Sequence, residues 1–220
     1  MTIHLQRELD KIRHMLLSLG ALTENRFKQA IRALNEMDVE LAREIIDKDE
    51  EIDLKEVQIE EECLKVLALY QPVASDLRFL VVVIKINNDL ERIADQAVNI
   101  AVRIKTLAGK PAPDFTCDYT PMAEKAGLML KMSLDAFVRQ DDKKAERVRQ
   151  MDEEVDAMRN NAYDRIKKAI SRAPDKAGYL INLFLVSRHL ERMADHATNI
   201  AEEVIYMRRG EIIRHTETFD

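Results

Sequence analysis

Tryptophan is absent, glycine and proline number five each in 220 residues, and aromatic residues make up only 5%. Five glycines leave little room for loops that cradle phosphates. Neither a P-loop, nor GxGxxG, nor a GxSxG elbow, nor HExxH occurs, so the usual signatures of nucleotide, hydrolase and zinc-protease chemistry are missing. No glutamate precedes a histidine by three positions, which excludes the ExxH ligand set of carboxylate-bridged di-iron bundles. The expectation is a protein that is not an enzyme. Cysteine is scarce too: Cys63 sits in a charged helical pattern and Cys117 in a proline-bearing connector, giving no CxxC pair and no zinc spacing. Two lone thiols fit a reducing, cytoplasmic setting. The longest apolar runs, FLVVVI at 79–84 and YLINLFLV at 179–186, fall far short of the roughly 20 residues a membrane-crossing helix needs. The first residues, MTIHLQRELDKIRHM, lack the apolar centre of a signal peptide. A net charge of -6 without any run of lysine and arginine argues against nucleic acid as a partner.

What is abundant is charge (34%) set in helical periodicity. Ile12, Met15, Leu16, Leu19 and Leu22 recur at steps of three and four, continued by Ala30, Ile31, Leu34 and Met37, the mark of one buried helix face. This predicts a first helix over 3–37. Asp38 suits an N-cap for a second helix running to Tyr70, and Pro72 precedes a third reaching about Leu107. GKPAPDFTCDYTP at 109–121 then concentrates one glycine and three prolines, the composition of a connector. Beyond it the pattern resumes over 122–139, 143–172 and 175–208. The expected fold is all-α: two tandem three-helix bundles related by internal duplication. Residues 1–110 form the first bundle, 111–118 the linker, 119–209 the second bundle and 210–220 a polar tail.

The duplication is legible residue by residue. DLERIADQAVNIA at 89–101 and HLERMADHATNIA at 189–201 agree at nine of the twelve positions from Leu90/Leu190 to Ala101/Ala201. DEEID at 49–53 and DEEVD at 152–156 repeat upstream. Positions four apart share a helix face. Glu91, Asp95 and Asn99 therefore form a stripe of oxygen groups, matched by Glu191, Asp195 and Asn199. Asp49 with Asp53 and Asp152 with Asp156 form two more steps. Counted from turns near Gln71 and Ala173, at about 1.5 Å per residue on each arm, Asp49 and Asp53 reach the height of Glu91 and Asp95. Asp152 and Asp156 reach that of Glu191 and Asp195. Height alone does not fix rotation. Like charges at such spacing repel and call for a compensating cation. Oxygen donors suit magnesium, calcium, manganese or iron, and suit copper(I) or a structural zinc poorly. His196 offers an imidazole to the second set, where the first has Gln96. Arg92 and Arg192 read as ion-pair partners that orient the carboxylates, with direct phosphate contact the lesser alternative.

The duplicated LERxAD and AxNIA strings, DEEID/DEEVD and QPVASDLRFL at 71–80 together closely resemble the PhoU family of phosphate transport accessory and regulatory proteins, from the first helix to about Arg208. The second half carries RAPDKAGYLINLFL where the first has QPVASDLRFL, so the halves are not equivalent there. The resemblance implies multinuclear metal sites at Asp49, Asp53, Glu91, Asp95, Asp152, Asp156, Glu191 and Asp195, holding divalent or trivalent iron, manganese, magnesium or zinc. It further implies a cytoplasmic homodimer. Its expected role is to restrain phosphate uptake and repress phosphate-starvation signalling, through contacts with the ATPase subunit of the phosphate ABC transporter and with a phosphate-sensing histidine kinase. The alternatives are a helical iron store or buffer and a metal-free helical adaptor.

Overall fold

A computed structural model describes residues 3–213, all of whose regular elements are helices. They are α1 (Ile3–Glu36), α2 (Val39–Asp47), α3 (Glu50–Tyr70), α4 (Ala74–Leu107), α5 (Thr120–Arg139), α6 (Asp142–Arg172) and α7 (Ala177–Arg209), with one 3₁₀ turn at Pro174–Lys176 before α7. The all-α, duplicated architecture is as the periodicity predicts. No helix among the described residues is long and apolar enough to cross a membrane.

One boundary departs from expectation. The single second helix predicted from Asp38 to Tyr70 is broken at Lys48 and Asp49 into α2 and α3. Asp38 caps α2 as expected, its carboxylate accepting from the Leu41 N–H at 3.0 Å. The break has no glycine or proline to announce it. Its cause is tertiary: the buried guanidinium of Arg26, reaching from α1, donates to the carbonyls of Ile45 (3.0 Å) and Lys48 (2.9 Å). Carbonyls at a helix end lack intrahelical partners; here the Lys48 carbonyl also accepts from the Glu51 N–H at 3.4 Å. With them satisfied, the chain can bend and restart at Asp49.

α4 and α7, the two helices that carry the repeated string, pack against each other antiparallel. Lys85 bonds Glu203, Asp89 meets His196 and Asn199, Gln96 meets His189, and Arg103 bonds Asn182. Residue numbers rise along one helix as they fall along the other. α1, α2 and α3 cover α4, while α5 and α6 cover α7. Ala94, Ala97 and Ala101, with Ala194, Ala197 and Ala201, are all buried, and such small side chains let helices approach closely. A second crossing joins α1 to α5. There Gly20 faces Leu134 and Gly127 faces Phe27, so closely that a Cβ on Gly127 would stand 2.7 Å from the Phe27 ring. These two contacts are equivalent under the duplication. All four helices contribute to one contiguous apolar core.

The connector is pinned rather than free. The Tyr119 hydroxyl donates to the Leu183 carbonyl at 2.5 Å, and the Arg165 guanidinium stacks over Phe115 while donating to the Thr116 carbonyl. Of the polar tail, Ile213 packs on the core, and residues 214–220 lie outside the described part. Both cysteines are free.

Candidate metal-binding carboxylate faces

The first face is built by α3 and α4. Its geometry follows from the antiparallel hairpin: Asp49 feels the charge of Asp95, and Glu91 that of Asp53. Carboxylates of the two helices are thus near enough to repel one another, but no three of them converge among the described residues. Burial is the first cause that raises the Asp49 carboxyl above the usual range; Asp53 and Asp95 add to it, and Arg26 opposes. Glu91 is raised mainly by burial, with Asp95, Asp53 and Glu56 adding and Arg92 opposing. Arg92 donates to Asp95 Oδ2 at 3.3 Å, and its Nε lies 3.3 Å from Glu91 Oε2 without hydrogen-bond alignment. Asp49 Oδ1 and Glu91 Oε2 are buried and accept no hydrogen bond.

The second face repeats the plan on α6 and α7. Asp152 is raised first by burial, with Asp156, Glu191 and Glu153 adding, while the Thr198 hydroxyl, donating at 3.1 Å, opposes. Asp195 is an exposed residue on α7, yet the packed helices partly desolvate its carboxyl. Together with Glu191, Asp152 and Asp156, and against His196, they push it up to about 6. Arg159 of α6 donates to Glu191 Oε1 at 3.1 Å.

His196 is otherwise engaged. Its Nδ1 lies 2.9 Å from Asp89 Oδ1, which also accepts from Asn199 at 3.2 Å. Both side chains thus reach across to the first repeat, so Asn199 leaves the stripe of oxygen groups predicted for it. The duplication explains the arrangement: Asp89 aligns with His189, and Gln96 with His196. The two contacts Asp89–His196 and Gln96–His189 are therefore one contact made twice with different chemistry. Burial first, then Arg103, Arg192 and Arg188, hold His189 down to about 4.

Glu56 is a participant that spacing did not reveal. Burial, then Glu60 and Asp53, raise its carboxyl against Arg92, and Asn87 donates to both its carbonyl and its carboxylate. It lies one turn beyond Asp53, where DEEID ends, so nothing in the repeated string marks it. Asp89 is one of four positions of the thirteen-residue string at which the two copies differ, and nothing else in the sequence marks it.

Among the described residues no three carboxylate, imidazole or thiol groups stand close enough together to hold a metal ion. The donor chemistry nevertheless fits a hard cation. Each face gathers oxygen donors whose mutual repulsion and burial disfavour the charged form, and the first holds two orphaned acceptor oxygens. Such atoms are costly to leave unsatisfied.

The fold and the faces together define a class: an all-helical protein duplicated from a helix-hairpin unit, each copy presenting paired carboxylates from neighbouring helices. The PhoU domain family matches residues 16–104 and again 120–204, and the chain belongs to the PhoU family. The phosphate-specific transport system accessory protein PhoU homolog of Aquifex aeolicus is 37% identical over 209 residues, covering 95% of each chain. The crystal structure of PhoU from Pseudomonas aeruginosa superposes with a TM-score of 0.87 at 36% identity, over 94% of this chain and 99% of that one. The phosphate transport system regulatory protein PhoU from Streptococcus pneumoniae gives 0.84 at 30% identity, over 94% and 98%.

Proposed function

We propose that this chain is a non-enzymatic, metal-binding accessory protein of phosphate transport that acts as a negative regulator. The observation that carries the metal reading is the doubled face of desolvated, mutually repelling carboxylates. Asp49, Asp53, Glu91 and Asp95 would hold ions in the first repeat, and Asp152, Asp156, Glu191 and Asp195 in the second. A bound cation would add charge neutralisation to what Arg92 and Arg159 supply. It also ties α3 to α4 and α6 to α7, and at one hundred times its dissociation constant it stabilises the fold by about 2.7 kcal/mol per site.

The regulatory reading is supported by relatives named as accessory and regulatory proteins of phosphate transport systems. On that reading the chain works in the cytoplasm as a homodimer and contacts the transporter ATPase subunit and the sensor kinase. The metal test is content after manganese loading and desalting. Glu91→Gln/Asp95→Asn should lose the first face's share while circular dichroism stays helical; undiminished metal in the variant rules that face out. The regulatory test is deletion of the gene. Phosphate-starvation genes should then be expressed in phosphate-rich medium, and unchanged expression would remove the adaptor reading.

A further inference from the structure

The two carboxylate faces differ in their cations. In the second repeat Arg159 of α6 and Arg188 and Arg192 of α7 line an open cleft of about 540 Å³ together with Phe184, Glu191 and Asp195. The duplication places Glu56, Asn88 and Arg92 at the corresponding positions of the first repeat. Three guanidinium groups thus stand against one at the corresponding positions of the first repeat, where a carboxylate occupies the place of Arg159 and the further cation, Arg26, comes from α1.

If these arginines served only to balance the carboxylates, each should be paired as Arg92 is with Asp95 and Glu91. Arg159 does pair with Glu191 and also donates to Asn160. Arg188 and Arg192 do not follow. They lie one turn apart on an exposed helix face, and among the described residues neither closes an ion pair or donates a hydrogen bond. Two unpaired planar forks at the spacing of one turn, on the rim of a cleft, match a tetrahedral oxyanion, which guanidinium groups bind through paired N–H donors. Cleft charge reinforces this. Glu191 and Asp195 are also metal candidates, and a cation between them removes the negative charge that otherwise offsets the arginines.

We infer that the arginine-lined cleft of the second repeat binds an oxyanion of the phosphate class through Arg188, Arg192 and Arg159, beside the carboxylates, and that the first repeat has no such site. For its charge balance this rests on the metal reading above. The cleft sees the ion only in the repeat whose arginines are unpaired, which makes the first repeat an internal control.

The test is equilibrium dialysis of the full chain with inorganic phosphate, with and without manganese, while manganese uptake is followed separately by electron paramagnetic resonance. Wild-type protein should bind about one phosphate per chain when manganese is present. Arg188→Ala/Arg192→Ala should weaken it at least tenfold while taking up manganese normally and keeping its helical circular dichroism. Arg188→Lys/Arg192→Lys should recover part of the affinity. Adenosine monophosphate run in parallel identifies the source: tighter binding of the free ion assigns it, and tighter binding of the ester assigns a phosphorylated small molecule to the same site. Phosphate bound equally by wild type and the alanine variant, or by neither, overturns the inference. If manganese is not taken up but phosphate still binds through these arginines, the metal reading fails and the anion site stands.

Discussion

Asp195 shows how a candidate ligand is held at a cost to the metal-free fold. Its carboxyl is pushed up to about 6 in the folded protein, against about 3.9 for an unperturbed aspartate. Between those values the folded state keeps a proton that the unfolded state has released. Stability therefore falls as pH rises through that window and stays at its lower level above about 6. Asp195→Asn removes the charge that is disfavoured. In the presence of a chelator the variant should melt higher than wild type at pH 7.5 and nearly level with it at pH 4. With manganese added, wild type should gain melting temperature and the variant gain less. A variant that melts lower than wild type at pH 7.5 without metal would show that the carboxylate is already compensated. The residue types and levels of this face are legible in the sequence because LERxAD and DEEVD fix them by spacing. The displacement of His196 toward Asp89 is not, because rotation about a helix axis is settled by what packs across from it.

At the scale of the element, the long helices follow from apolar periodicity, and Asp38 and Asp141 cap α2 and α6 with side-chain acceptors as their residue types suggest. The break between α2 and α3 was not legible, since it depends on Arg26, which is distant in sequence and looks like one more charge on an amphipathic helix. Only 5% of Arg26 is exposed. Arg26→Met keeps the apolar bulk and removes both donors to the Ile45 and Lys48 carbonyls. Hydrogen bonds from charged groups contribute about 1.5–3 kcal/mol each, so losing both should cost the variant about 3–6 kcal/mol in urea unfolding. Because Asp49 stands at this bend just before α3, first-face manganese affinity should fall with it, while second-face affinity should not. Full stability in the variant would mean that the bend is held by packing alone.

At the scale of the molecule, duplication sets the topology while packing sets the folding unit. The proline-bearing connector suggests two separable bundles, yet α4 and α7 form a central pair, and α1 crosses α5 through the reciprocal Gly20–Leu134 and Gly127–Phe27 contacts. Leu190, Ile200 and Val204 of α7 are fully buried in the same core as Leu90, Ile93 and Ile100 of α4. Excising residues 119–209 would uncover the α7 surface that α4 now shields, together with the polar groups of His189 and Asn182 that α4 side chains satisfy. Burial of aliphatic side chains contributes about 1.5–3 kcal/mol each, so losing several of them is comparable with the 5–15 kcal/mol by which a domain is ordinarily stable. The fragment should therefore fail to unfold cooperatively as a monomer. It should be largely unfolded by circular dichroism or self-associate in sedimentation, with a second α7 standing in for α4. A monomeric fragment with a sharp urea transition would show that the repeats are independent domains, and that the α4–α7 ladder joins two finished bundles instead of completing one core.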